Sequence, residues 1–548
     1  MTAALVISGR IATLAGAHGL GWVDAVAVAG GRVVAAGSAA EIEPLLGPQT
    51  RRLALAPGEV AIPGLTDSHL HLVDAALSLE RVDLSTAATL EEGLARVADA
   101  HARSRDPGAW LEGHGWDANR WGAWPTASAL EGVAPGRRAA FWQHDHHALW
   151  VSEAGLAAAG ITAATADPAG GLVRRLEDGT PEGCLQESAS SLVTAHIPAP
   201  STDAIERLVP ILGRELISLG VIAVHDPGAL ATDPELAGAY AAYAALVDRG
   251  SMPLRVHACL RQEGIAAARR RGLRSGDALG SVPGSRVRVG WQKLFADGTL
   301  GSRTAAMLEP FEAESGLVLP NDGHGVWVTP PDELVRLVEI AAEAGITSQI
   351  HAIGDAAVRA AIDALGPSAD ATVLRPRLEH AQLVDPADLP RLARHGIAAS
   401  VQPVHVRSDH VQARLGWGSR AERSGYAYAS LLAAGALLAS GTDAPVEPID
   451  PWPGIEVAVT RAHASWPAGS RPFGPHEALS LDQALRASCV GPAVSAGELD
   501  RGRLEPGHRA DVVVLPAAAL DEPVVTGGPL GSARPILVLM DGEVVFER

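Results

Sequence analysis

Six residues of a kind that can hold a metal or move a proton recur along this sequence in a fixed order. They are His69 and His71 in "DSHLH", Lys293 in "GWQKLFADG", His351 in "QIHAIGD", His380 in "LEHAQ" and Asp443 in "SGTDAP". Residues two apart in an extended strand point to the same side, so His69 and His71 can offer two imidazoles to one cation. Imidazole and carboxylate are the donors of zinc and related divalent metals. Lys293 is different in kind. It is the only lysine among 44 basic residues, all the others being arginine, and a protonated amine repels a cation. Each residue alone also has a plain structural reading. An isolated His-x-His is usually surface or core, a buried histidine is usually satisfied by a hydrogen bond, an Asp after Gly-Thr can cap a helix, and a lone lysine can be one surviving codon. Order and placement set the group apart, since each member lies near the end of an apolar, strand-like run.

Eight such runs can be read, at residues 59–71, 220–226, 254–260, 287–298, 347–355, 376–383, 397–405 and 436–445, with Ala/Leu/Glu/Arg-rich helical stretches between them. Alternating strands and helices predict an α/β fold with a parallel sheet, and eight repeats are the number of a (β/α)8 barrel. The metal-competent residues fall on runs one, four, five, six and eight, and in such a barrel the strand ends converge at one mouth. The roughly 150 residues between the first two runs exceed any single crossover, so a large insertion is expected at about 75–215. Both ends of the chain are β-rich, with turn signals at Gly30-Gly31 and Asp541-Gly542. The expected organisation is a composite β-sandwich domain from residues 1–58 and 496–548 around a TIM-like barrel over 59–495.

Composition narrows the function classes. The chain has 548 residues, 47% of them hydrophobic, and a formal net charge of −19, enough for a large core and opposed to nucleic-acid or anionic-membrane partners. Cys184, Cys259 and Cys489 have no CxxC spacing, which points away from a disulfide framework and towards a reducing, cytoplasmic setting. The N-terminal stretch lacks the pattern of a secretory signal, and no run approaches the roughly 18 apolar residues of a membrane span. The expected partner is a small-molecule substrate, with homo-oligomerisation left open.

The order His-x-His, Lys, His, His, Asp resembles the amidohydrolase superfamily. The phrases "PGLTDSHLHL", "KLFADGTLGSRTA", "HAIGD", "EHAQ" and "GTDAPVEPIDPW", with "GHGWDANRW" in the insertion, resemble its amidohydrolase family 3, the YtcJ-like branch that includes N-substituted formamide deformylase. The resemblance implies that His69, His71 and Asp443 hold one metal, that His351 and His380 hold a second, and that Lys293 bridges them as a carbamate made with carbon dioxide. A buried lysine can become the neutral amine that captures carbon dioxide, whereas a guanidinium stays protonated. The metal is expected to be Zn2+, one or two per chain, with manganese, iron or nickel as alternatives. The implied activity is hydrolysis of non-peptide carbon–nitrogen bonds in N-substituted formamides, N-acyl amides or carbamates, by a metal-activated hydroxide with Asp443 as general base and acid. An ester or phosphoester hydrolase of the same superfamily and a non-catalytic scaffold are the alternatives.

Four further residues are candidates for substrate contact. Trp116 and Asn119 lie in the insertion's "GHGWDANRW", His225 ends the second run, and Arg303 sits in "GTLGSRT". Their plain readings are an insertion core for the tryptophan, a core histidine for His225, and a salt bridge to Asp297 for Arg303. The cluster His144, His146 and His147 in "QHDHHALW" lies outside the ligand order and reads as surface or pocket edge.

Overall fold

The computed structural model describes residues 2–548 except 105, 107, 169, 229–232, 313–318 and 369–371. Eight parallel strands follow one another around a barrel: β1 (Leu65–Asp67), β2 (Val221–Asp226), β3 (Arg255–Arg261), β4 (Val287–Phe295), β5 (Ser348–Ala352), β6 (Arg377–His380), β7 (Ala398–Val401) and β8 (Leu437–Ser440). Each pairs in parallel with the next. The two ends of the sheet meet where Ser68 N donates to Ser440 O at 3.0 Å. Almost every residue of these strands is buried, as expected of strands with side chains on one face and helices on the other.

The helices follow local signals. The helix Pro331–Glu343 opens on a proline and two acidic residues, Asp332 and Glu333, and turns Leu334, Val338 and Ala341 inward. The helix Leu481–Ser495 begins with a capping box between Ser480 and Gln483. No helix of the described residues is long and apolar enough to cross a membrane.

The expected first strand at 59–71 is two strands in different sheets. Glu59–Pro63 pairs antiparallel with Val512–Pro516, joining a sheet built from Leu5–Ala12, Trp22–Ala29, Arg32–Gly37, Arg51–Ala54, Leu537–Met540 and Glu543–Glu547. The chain passes into β1 at Gly64, where a Cβ would lie 2.6 Å from Ile222 Cδ1; only glycine allows so close a crossing. Strand alternation then divides the terminal sheet's side chains. Val512, Val514, Leu537 and Leu539 pack in the sheet's own core, whereas Val513, Leu515, Val538 and Met540 join the barrel core. One face of the sheet thus covers its own core and the other packs into the barrel core, a junction reinforced by Arg255 on β3, which pairs with Asp511 at 3.0 Å and Asp541 at 2.7 Å. Cys184, Cys259 and Cys489 are buried free thiols.

The insertion is a second body after β1. The helix Leu72–Ser78 leads into a six-stranded sheet of Val82–Asp83, Leu111–Trp116, Ala139–Gln143, Ala148–Val151, Gly171–Arg175 and Pro181–Glu187, and the helix Thr202–Ser218 returns the chain to β2.

Candidate metal centre

His69 and His71 lie just beyond β1, in the turn that enters the helix Leu72–Ser78, and not within a strand as their spacing suggested. The turn is fixed by the end of β8. Asp443 N donates to His69 O at 2.6 Å and His71 N to Ala444 O at 2.9 Å. Asp67 accepts His69 N at 3.0 Å and the Thr442 hydroxyl at 2.6 Å, clamping the two segments together. Both histidines therefore face the Asp443 carboxylate: His69 Nε2 is 3.4 Å and His71 Nε2 is 3.5 Å from Oδ1.

The other oxygen faces a second group. Asp443 Oδ2 is 3.4 Å from His405 Nε2 and 3.9 Å from His380 Nδ1. The donor atoms of His69, His71 and Asp443 lie within 4.8 Å of one another, as do those of His380, His405 and Asp443. His351 on β5 stands beside the second group, its ring 4.6 Å from that of His380 and its Nε2 3.2 Å from Gly298 O. Asp443 and His380 both have positive φ, 64° and 70°, a backbone strain of order 1–3 kcal/mol each that tends to collect at functional sites.

Lys293 reaches the same cavity from β4. The β3–β4 ladder slips by one residue, from Ala258 opposite Val289 to Leu260 opposite Gln292, and such a bulge re-aims the residues that follow. Lys293 is 2% exposed, and its Nζ has no hydrogen-bond partner among the described residues. Burial lowers its pKa to about 8, against the pull of Glu379 and Asp443. Burial lowers His69 to about 4. It also opposes ionisation of Asp443, but His69, His405 and His71 hold that carboxyl well below its ordinary range. His69 Nε2 and His405 Nε2 are likewise buried without a hydrogen-bond partner among the described residues. Unsatisfied imidazole nitrogens around one carboxylate are the donor set of a divalent cation, so these residues fit a metal.

Beneath the donors lies an ionic layer absent from the sequence expectation. Glu379 hydrogen-bonds His69 Nδ1, which orients the ring as outer partners of metal-binding histidines do. Arg377, wholly buried, donates to Glu379 Oε1 at 2.8 Å, to His225 at 2.8 Å and to Ser400 Oγ at 2.9 Å. His380 Nδ1 is 2.9 Å from Gln402 Oε1.

The mouth opens into a cavity of about 650 Å³ lined by all six expected ligand residues. The insertion supplies one wall through "QHDHHALW". His147 Nδ1 is 2.6 Å from Glu187 Oε2, Thr304 donates to the other oxygen of Glu187 at 2.5 Å, and the His147 ring is 5.4 Å from that of His351. The cluster read as a pocket edge thus faces the donors.

The four substrate candidates lie elsewhere. Trp116 is wholly buried in the insertion core against Trp124 and Trp150, with its Nε1 donating to Phe141 O at 2.7 Å. Asn119 is exposed on the short helix Ala118–Trp121. His225 lies under the site, held by Arg377. Arg303 is buried and donates to Gln412 Oε1 at 2.8 Å, while Asp297 accepts backbone N–H groups from Ala306, Ile353 and Gly354. None of the four lines the cavity. Trp142 does, and His405 is the donor that residue order missed, although it closes the run at 397–405.

The sequence profile of the Amidohydrolase family matches residues 56–546. This chain belongs to that family. The amidohydrolase is 29% identical to the putative amidohydrolase YtcJ of Bacillus subtilis, with 96% of each chain covered. It is 28% identical to N-substituted formamide deformylase of Arthrobacter pascens, covering 96% of this chain and 95% of the relative. Its fold superposes on an uncharacterized metal-dependent hydrolase of Pyrococcus horikoshii with a TM-score of 0.72 at 26% identity, covering 95% of this chain and 98% of the other. The barrel with its added sheets is the architecture of this amidohydrolase and of the neighbours it matches.

Proposed function

We propose that this chain hydrolyses carbon–nitrogen bonds other than peptide bonds in small amides: N-substituted formamides, N-acyl amides or carbamates. The observation that carries the reading is the Asp443 carboxylate, whose two oxygens face two separate groups of imidazoles. The relative that deformylates N-substituted formamides supports the substrate class.

In this reading His69, His71 and Asp443 would hold one divalent metal, with zinc favoured by the imidazole and carboxylate donors. His351 and His380, joined by His405, would hold the second. The neutral Lys293 amine would attack carbon dioxide and lose a proton, giving a carbamate, an anion that would join these residues in holding metal. Metal at such a site supplies Lewis acidity to the scissile carbonyl and lowers the pKa of water towards about 7. Asp443 accepts the proton of the attacking water and delivers it to the leaving nitrogen as the carbon–oxygen bond forms and the carbon–nitrogen bond breaks. A formamide would yield formate and an amine. The insertion's Trp142 and His147 form part of the cavity wall.

The test is turnover of matched amide, ester and phosphoester probes by the metal-replete protein, with metal content measured alongside. Preferential amide hydrolysis, abolished in Lys293→Arg, is expected. Asp443→Asn should retain part of the metal and lose hydrolysis. Wild-type turnover with full metal content in Lys293→Arg would refute the bridging role, and preference for the ester or phosphoester would replace the substrate class.

A further inference from the structure

The carboxylates on the cavity wall are largely matched by donors. Glu112 pairs with Arg81 at 2.7 Å, Glu187 with His147 at 2.6 Å, Asp409 accepts from Tyr426 at 2.6 Å, and Glu447 takes Arg407 and Ser408. Besides the Lys293 amine, a second cation on this wall has an unmatched donor among the described residues. Arg261, the last residue of β3, is half-buried and lines the cavity. Its Nη1 is shut off from solvent and has no hydrogen-bond partner among the described residues. Asp74 and Glu263 are the carboxylates whose charge it feels, and its guanidinium lies over Phe295, 4.6 Å from the ring centroid.

A buried, unsatisfied donor on a charged group is costly to maintain, and a guanidinium fork is shaped for two parallel bonds to a planar carboxylate. The position also matters. Arg261 stands opposite Lys293 in the β3–β4 register, and adjacent strands run about 4.8 Å apart. The Lys293 amine lies 4.8 Å from the same Phe295 ring. A group gripped by Arg261 is therefore a short molecular length from the donors around Asp443, with the Phe295 ring centroid 4.6 Å from the guanidinium and 4.8 Å from the Lys293 amine.

We propose that Arg261 is an anion-recognition site and that the substrate is a small amide that also carries a carboxylate, held by Arg261 while the amide lies at Asp443. This rests on the hydrolase reading above and names the substrate class of that same site. The cavity is large enough for a molecule of this kind, since small-molecule sites run from about 300 to 1,000 Å³.

The experiment compares, on the metal-replete protein, an N-acyl amine bearing a free carboxylate with the same compound as its primary carboxamide. The expected kcat/KM ratio favours the carboxylate by ~10- to 100-fold, the range of a hydrogen bond to a charged group. In Arg261→Met the ratio should fall to near one. In Arg261→Lys, which keeps the charge without the fork, it should be intermediate. A wild-type ratio near one, or a ratio unchanged in Arg261→Met, overturns the proposal. A binding readout separates it from the hydrolase reading: 3-phenylpropanoate, but not 3-phenylpropanamide, should raise the melting temperature of the wild type and not of Arg261→Met. Arg261-dependent stabilisation without turnover of any amide would leave the anion site standing and remove the hydrolase reading. Equal stabilisation of wild type and Arg261→Met would remove the anion site alone.

Discussion

His405 Nε2 lies 3.4 Å from Asp443 Oδ2, on the carboxylate oxygen opposite the one that faces His69 and His71. The helix His405–Trp417 begins at this histidine and carries it back over the barrel mouth from the end of β7. Asp443 is thereby shared between both halves of the site. Removing the imidazole in His405→Ala should lower metal affinity or turnover by about 10- to 100-fold, as loss of groups around a metal does. Metal titration and kcat/KM on the purified variant check this, and an unchanged metal stoichiometry with unchanged turnover would exclude His405 from the site.

The pair Glu379 and His69 makes a different prediction. Glu379→Gln keeps the shape but weakens the acceptor that orients His69, so metal affinity should fall about 10- to 100-fold with little loss of folded protein. Arg377→Met instead leaves a buried carboxylate without its guanidinium and should cost about 3–5 kcal/mol of stability. Calorimetry on the two variants distinguishes an orienting role from a structural one.

Stability at low pH should depend on Glu498, which pairs with Arg501 near the junction of barrel and terminal sheet. Burial opposes its ionisation, but Arg501 and His257 override this and lower its pKa from 4.5 to about 2. Because the folded-state value is depressed, its contribution of about 3 kcal/mol is fully present above about pH 4.5 and is lost as pH falls towards 2. Denaturation midpoints of wild type and Glu498→Gln should therefore differ at pH 7 and converge between pH 4.5 and 2. A constant gap across that range would show that the pair acts through packing alone.

Trp116 lies in the core of the insertion, so its truncation is a stability experiment. Trp116→Ala should cost about 3–5 kcal/mol locally, while Trp116→Phe should leave KM unchanged. Substitution of Trp142, on the cavity wall, should instead raise KM. Steady-state kinetics paired with thermal melts separate the two, and a KM effect from Trp116→Phe alone would return that residue to the substrate.

Removing metal gives the broadest test of the centre. A ligand that binds only the folded state stabilises it by RT ln(1 + [L]/Kd), about 2.7 kcal/mol at a hundredfold excess over Kd. Chelation should lower the melting temperature of the wild type, and this drop should be smaller in Asp443→Ala.

The sequence by itself determined the order of the site. His69, His71, Lys293, His351, His380 and Asp443 all line one cavity, because each ends an apolar run and parallel barrel strands bring such ends to one mouth. Local periodicity also carried the eight strands and the two β-rich ends. It did not separate Glu59–Pro63 from Leu65–Asp67, since both read as one apolar run and only pairing with Val512–Pro516 pulls the first away. His405 was missed because the order His-x-His, Lys, His, His, Asp has no member on the seventh run, although His405 closes that run and reaches Asp443 from a helix start. Trp116 and Trp142 have the same residue type and lie in the same insertion, yet one fills a core and the other faces the cavity. Residue type sets what chemistry a side chain can do, whereas which face of a packed sheet meets the barrel is settled only when the chain closes on itself.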